Sequence, residues 1–290
     1  YDMYGMPVCN KETYHFSMWV KRLGFKGVAK VFIRGAHGRH TTIGEIVIPE
    51  GDEGDWIKVS ASVVAEKDTM GRLCIVLEGN GKIGIDYVSL LPATTWGDPK
   101  KYRNGKLSPR LVQVLKDCHP AFVRFPGGCV VEGDVSFENQ YKWRNTVGPL
   151  EQRKQIPNVW RYMQSYGIGF YEYFCLCEDI GATPLPVLHC GVLCQIRMGE
   201  QRKTGYQRIV PGTPAFQSEV IDNVADLIYF AKGDVSSKDK NEFYWAKMRA
   251  DMGHPAPFEL KYIGIGNENW GFEYFDNFAS CLLGVRQYMY

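Results

Sequence analysis

A lone carboxylate closes an apolar run late in the chain. Residues 262–271 read YIGIGNENWG, with Glu268 between Asn267 and Asn269 and just ahead of Trp270. A glutamate at the end of a buried-type strand has its backbone held while its side chain reaches the strand's mouth, which suits general acid catalysis. Partial burial beside an aromatic such as Trp270 would raise its pKa and keep a proton available near neutral pH. The competing reading is a surface glutamate just past a strand, flanked by asparagines that serve as turn formers. A second candidate is Arg124, inside FVRFPGG, where its neighbours are apolar. A buried arginine is paired or hydrogen-bonded, so it makes either a structural ion pair or a fork for a ligand hydroxyl and a site carboxylate. Gly127 and Gly128 behind it permit close backbone approach.

Trp143, Trp160 and Trp270 lie on or near long loops. They could stack on sugar rings or pin those loops to the body of the protein. The chain has nine cysteines, an odd and scattered set that does not suggest a disulfide framework. Cys175, Cys177, Cys190 and Cys194, with His189, could be drawn as a metal cluster, but C-x-C and C-x₃-C do not match zinc spacings. Buried thiols are the expectation there.

Two kinds of element must hold these residues. Up to residue 92 the chain offers TYHFSMWVKR, GVAKVFIRG, GEIVIPE, WIKVSASVVA, RLCIVLEGNG and IGIDYVSLLP, short β-prone runs separated by turn residues, as in an antiparallel sandwich. GNGKIG at 79–84 matches G-x-G-x-x-G, yet no helix follows it, and it reads as a hairpin turn. Pro, Gly and Asn then mark a connection, with a boundary near residue 94. A helix is expected from SPRLVQVLKDC, with Ser108 as N-cap and Pro109 in the first turn. From there AFVRFPGG, a helix over 169–181, TPLPVLHCG, a helix over 215–233 and LKYIGIGNENWG alternate in the order of a parallel β/α sheet. Two of these strands end in polar or Gly-rich sequence, at the edge where such sheets collect their active sites. The insertions 129–160 and 192–214 would wall a cleft there.

A net charge of +2 with interspersed signs excludes a nucleic-acid or membrane-surface stripe. No apolar run approaches the roughly 18 residues of a membrane span. The opening YDMYGMPVCN has neither an initiator Met nor a signal pattern, so the true N-terminus is expected upstream.

In order along the chain, VRFPGGCVVEG, KWRNTVGPLEQR, GIGFYEYFCLCEDIGATPLPVLHCG and FELKYIGIGNENWG resemble the landmarks of the α-L-arabinofuranosidases of glycoside hydrolase family 51. Residues 1–94 resemble the carbohydrate-binding-like β-sandwich that precedes the catalytic barrel in one branch of that family. The resemblance implies a multidomain chain: a jelly-roll-like sandwich over 1–94, then part of a (β/α)8 TIM barrel over 95–290. It implies a retaining hydrolase of arabinose-containing plant polysaccharide or oligosaccharide, with no metal or organic cofactor, no nucleic-acid or membrane partner, an oligomer possible for the full-length enzyme, and a secreted, extracellular or periplasmic setting.

The family pattern makes a strand-4 glutamate the acid/base, matched by Glu268, and a strand-7 glutamate the nucleophile. Asn267 matches the residue that binds the sugar 2-hydroxyl, where bonds strengthen in the transition state. Arg124 matches the strand-1 arginine of the sugar subsite, and Cys129 stands where many bacterial members have a sugar-binding asparagine, although a thiol replaces an amide poorly. Trp160 matches an aromatic on the leaving-group side. Counting AFVRF, TPLPVL, a strand after LIYFAKG and YIGIG as strands one to four leaves strands five to eight outside the chain. The second carboxylate, which a retaining enzyme needs about 5 to 5.5 Å from the first, would then lie outside it too. The alternatives are a binding module with an inactive barrel segment, or another retaining barrel glycosidase.

Overall fold

The computed structural model describes residues 5–35, 40–48, 54–96, 106–134, 136–197 and 208–289, with the side chains of 40–43 also left out. The linker stretch 97–105 and part of the insertion 192–214 therefore lie outside the described residues. The chain divides into two compact units, the first built on Tyr1–Trp96 with Lys106–Pro109 and the second on Arg110–Tyr290.

Two strands dominate the first unit: β2 (Thr13–Gly35) and β5 (Thr69–Pro92), beside β1 (Met6–Val8), β3 (His40–Val47) and β4 (Trp56–Val64). At about 3.3 Å per residue a straight strand of this length would overrun any domain of this size, so the ribbon must bend. All five strands belong to one antiparallel sheet in the order β1-β5-β2-β3, with β4 also on β2. The six runs expected from sequence are thus four strands, because TYHFSMWVKR and GVAKVFIRG are one strand and RLCIVLEGNG and IGIDYVSLLP another.

The bend is built by a bulge and by glycines. Leu23 and Gly24 both face Lys82. That extra residue moves the buried positions of β2 from even (Tyr14, Phe16, Met18, Val20) to odd (Phe25, Ala29, Val31, Ile33), and the two sets share one hydrophobic cluster with Ile46 and Val59. Opposite the bulge, Gly79 and Gly81 lie inside β5. A Cβ on Gly79 would stand 2.3 Å from the Lys26 carbonyl oxygen, and one on Gly81 2.2 Å from that of Gly24. GNGKIG is therefore the inside of a bend and not the hairpin turn expected from its composition.

In the second unit α1 (Pro109–Asp117), β6 (Phe122–Phe125), the antiparallel pair β7 (Ile156–Pro157) and β8 (Met163–Gln164), α2 (Phe170–Ile180) and β9 (Thr183–Leu188) come first. A helical run follows, formed by α3 (Pro214–Phe216), a π turn (Gln217–Ile221) and α4 (Asp222–Lys232). Then come α5 (Lys240–Asp251), β10 (Gly264–Ile265) and α6 (Gly271–Val285). The sheet is β6-β9-β10, parallel throughout. β10 pairs directly with β9, Gly264 beside Val187. Among the described residues no strand lies between LIYFAKG, which ends α4, and β10; α5 stands there instead. The count of four strands is corrected to three.

Val123 and Phe125 turn toward the core, where Phe125 meets Phe170, Tyr173 and Phe174 at 4.9–5.5 Å. Phe122 and Arg124, on the other face, are exposed. The polar interior is well paired. Arg249, fully buried, donates to the carbonyls of Phe230, Ala231, Gly233, His254 and Pro255 and so fastens the approach to β10 onto the end of α4. Arg153 donates both terminal nitrogens to Glu172 at 2.8–2.9 Å and reaches the carbonyls of Gly148 and Tyr166. Glu172 in turn accepts the Gly169 N–H at the start of α2. That knot locks the long connection between β6 and α2.

Candidate active site

The C-terminal ends of β6 and β10 flank that of β9, and Arg124, Cys129, Asn267 and Glu268 sit on or just beyond the outer two. Beyond β10 the ladder ends with the Gly266 N–H donating to Leu188 O at 2.6 Å. The backbone then turns sharply. Gly266 has φ +84°, and a Cβ there would stand 2.7 Å from Asn269 Oδ1. Glu268 has φ +51°, a left-handed conformation uncommon for a residue with a side chain. This kink, with the asparagines on each side, is what presents the Glu268 carboxylate at the strand mouth.

Four sequence candidates meet there. Arg124 Nη2 donates to Asn267 Oδ1 at 2.6 Å, and Asn267 Nδ2 donates to Glu268 Oε2 at 3.4 Å. Cys129 Sγ–H reaches the same Glu268 oxygen at 3.7 Å. Cys129 is carried by the 3₁₀ turn Gly128–Val131 that follows β6. A guanidinium, an amide and a carboxylate are thus in line, and the amide's two ends are oriented by its neighbours' charges.

Exposure departs from expectation in two places. Arg124 is exposed and not buried, because it shares the uncovered face of β6 with Phe122. Glu268 is also exposed, and so is Trp270, so the aromatic burial expected around the carboxylate is not what surrounds it in this chain.

The tryptophans part ways. Trp143 has no exposed surface. Its Nε1–H donates to Asn223 O at 3.0 Å and its ring packs 4.8 Å from Trp245, so it pins its loop and is not open to a sugar. Trp160 is 41% exposed, lies 3.3 Å from where a Gly128 Cβ would be, and has the Arg197 guanidinium 5.7 Å from its ring. Trp270 is held by the backbone: Gln195 accepts its N–H at 2.7 Å and donates to its carbonyl at 2.8 Å.

Sequence reasoning missed the supports. Glu132, fully buried, accepts the Asn267 N–H at 2.9 Å, and Asn269 Oδ1 accepts the same N–H at 2.8 Å. Burial pushes the Glu132 carboxyl well above the usual carboxylate range, with the Asn267 N–H opposing in part. Tyr274 donates to Ile265 O at 3.1 Å. Only a glutamate in the middle of VVEG, an apolar stretch, could have hinted at the first of these.

The thiols drawn as a metal cluster are free and buried, Cys175 and Cys177 within α2 and Cys190 and Cys194 beyond β9. Burial pushes Cys194 up to about 11 and Cys177 up to about 12. Among the described residues no three His, Cys, Asp or Glu side chains are placed to hold a metal ion, and no helix is long and apolar enough to cross a membrane.

The model of the family described as "Alpha-L-arabinofuranosidase 1 domain" matches residues 114–284, more than half of the chain. An extracellular exo-α-L-arabinofuranosidase of Streptomyces chartreusis is 37% identical over 97% of this chain and 32% of its own length. α-L-Arabinofuranosidase 1 of Arabidopsis thaliana is 34% identical over 94% of this chain and 36% of its own. An arabinose-bound GH51 α-L-arabinofuranosidase structure is alike in fold, with a TM-score of 0.75 and 23% identity over 98% of this chain and 44% of that one. The chain spans about a third of the length of the curated relatives it matches. With the Arg124–Asn267–Glu268 line at its sheet mouth, the chain belongs to the family 51 α-L-arabinofuranosidases.

Proposed function

We propose that this chain carries the acid/base half of a retaining α-L-arabinofuranosidase that removes terminal arabinofuranosyl groups from arabinoxylan- or arabinan-type polysaccharides outside the cell. The observation that carries this reading is the left-handed turn that sets Glu268 at the mouth in a hydrogen-bonded line with Asn267 and Arg124. Glu268 protonates the departing glycosidic oxygen as its bond to the sugar breaks, then takes a proton from the water that releases the covalent glycosyl intermediate. Asn267 offers its amide to the sugar 2-hydroxyl, and Arg124 holds that amide while its remaining donors face the sugar. Cys129 lines the same subsite with a thiol, and exposed Trp160 offers a stacking face to the leaving saccharide.

Because the family pattern ends strand 4 on the acid/base, β6, β9 and β10 correspond to barrel strands 2, 3 and 4, and the nucleophile comes from sequence beyond this chain. The N-terminal unit, residues 1–94, is read as a carbohydrate-binding-like module and residues 95–290 as the catalytic part. Support for that division is the first unit's own hydrophobic cluster.

The test is hydrolysis of an aryl α-L-arabinofuranoside by the full-length gene product, with the first-formed sugar's anomeric configuration followed by NMR. The expected product keeps the α configuration. An inverted product, or no hydrolysis, ends this reading. The 290-residue chain by itself is expected to be inactive, and turnover by it that is abolished in Glu268→Gln would overturn the assignment of the nucleophile elsewhere.

A further inference from the structure

Glu132 has none of the roles above, yet its setting is unusual. It follows the turn that carries Cys129, it is 0% exposed, and one oxygen, Oε1, accepts the Asn267 N–H at 2.9 Å. The other, Oε2, is buried without a hydrogen-bond partner among the described residues. An unsatisfied buried oxygen carries a desolvation cost that an apolar side chain of the same volume would not incur. In return, the carboxyl supplies an acceptor where the sheet cannot.

The β9–β10 ladder stops at Gly266, one residue short of Asn267. The next amide, that of Asn267, is therefore held from the side, by Asn269 within the turn and by Glu132 from across the sheet. Glu132 is tied in sequence to β6, whose Arg124 holds the Asn267 side chain. One residue is thus gripped at its side chain by a group of β6 and at its backbone by a group just beyond β6, and Glu268 comes next in the chain. Burial also pushes the Glu132 carboxyl well above the usual carboxylate range, which disfavours a second negative charge behind Glu268.

We propose that Glu132 is a positioning residue for the proton transfer: by holding the Asn267 amide it fixes the left-handed turn from which Glu268 protonates the leaving oxygen. This rests on the reading of Glu268 as the acid, and it has a consequence that a merely structural role lacks. Protonation matters greatly when an alkoxide departs and little when a nitrophenolate does, because the latter is already a stable anion. Misaiming the acid therefore penalises substrates in proportion to the basicity of their leaving groups.

The experiment compares kcat/KM for methyl and 4-nitrophenyl α-L-arabinofuranosides in the full-length gene product, for the wild type, Glu132→Leu and Glu132→Gln. Glu132→Leu fills the volume without an acceptor and is expected to lower the methyl glycoside value by about 10- to 100-fold while the nitrophenyl value falls by less than about threefold. Glu132→Gln keeps an acceptor oxygen and is expected to restore the methyl value to within about threefold of wild type. Equal losses on the two substrates, no loss in Glu132→Leu, or a Glu132→Gln as impaired as Glu132→Leu each overturn the proposal. Amide exchange at Asn267, followed by NMR in this chain, gives a second readout. It should quicken in Glu132→Leu and not in Glu132→Gln, and an unchanged rate in Glu132→Leu also overturns the proposal. A wild type that cleaves neither glycoside is instead a failure of the enzymatic reading, seen before any Glu132 variant is made, and the inference falls with it.

Discussion

The two units use β-structure in opposite ways. In the first, strands of 23 and 24 residues pair along almost their whole length, and the ladder itself is the architecture. In the second, the parallel strands have four, six and two residues, and the shortest leads into the turn that holds Glu268. A long ladder spreads its constraint over many hydrogen bonds, so its weak points are places where the ladder must bend. A two-residue strand constrains little by itself. Its chemistry depends on side chains that take over where the backbone pairing stops: Glu132, Asn269, Arg124 and Tyr274. The difference suggests that the first unit is sensitive to backbone sterics and the second to single polar contacts.

The largest effect should come from the proposed acid, Glu268. Glu268→Gln in the full-length gene product is expected to lower kcat/KM on an alkyl arabinofuranoside by about 10²- to 10⁴-fold, without a shift in thermal midpoint. A drop in stability of similar rank would mean that Glu268 belongs to the scaffold. Next is Arg153→Met, which strands Glu172 beneath the loop knot. The side chains of this pair are 0% and 10% exposed, and removing one member of such a pair costs about 3–5 kcal/mol, measurable by urea unfolding. A loss under 1 kcal/mol would show that the second unit tolerates the loss of a polar tie and would blunt the contrast.

For the first unit the matching test is steric. Gly81→Ala drives a Cβ against the Gly24 carbonyl at φ +109°, with an expected cost of about 2–4 kcal/mol. Circular dichroism should show the β signal melting earlier. If Gly81→Ala is neutral, the bend is not the weak point proposed.

The smallest effect concerns acid. His189, just past β9, is fully buried, accepts the Gly191 N–H at Nδ1, and has a pKa lowered to about 4 from 6.5, first by burial and then by Lys142 and Arg144, against the pull of Glu219. A base whose folded pKa is depressed takes up its proton more readily when unfolded. Stability from this group is therefore complete above pH 6.5 and lost as the pH falls toward about 4. The loss is at most about 3 kcal/mol. His189→Asn, whose Oδ1 can take the Gly191 N–H, should flatten the stability profile across that window, and an unchanged slope would assign the acid sensitivity to other groups.

Much of the site was legible because its residues announce themselves against their surroundings. A charged Arg124 in FVRFPGG and a Glu268 after YIGIGN stand out in apolar sequence, and the structure brings them together through Asn267. Their exposure was not legible, since alternation along β6 shows which residues share a face but not which face is covered. Trp143 and Trp160 look alike as loop aromatics, and only packing separates the pinned ring from the open one. The glycines of 79–84 have the composition of a turn, and the same freedom from a Cβ serves equally for a close crossing of two strands.

By itself the amino-acid sequence determined the β-rich then β/α order, the candidates Arg124 and Glu268, and, through ordered motifs, the family and with it the candidates Asn267, Cys129 and Trp160. These are properties of residue type and spacing, which local physics and composition expose. Tertiary structure alone decided that β10 lies directly against β9, that two long strands coil as one sheet, and that Glu132 reaches the Asn267 amide. Each of these joins residues far apart in the chain, and no local preference encodes which distant partner meets a given hydrogen-bonding group.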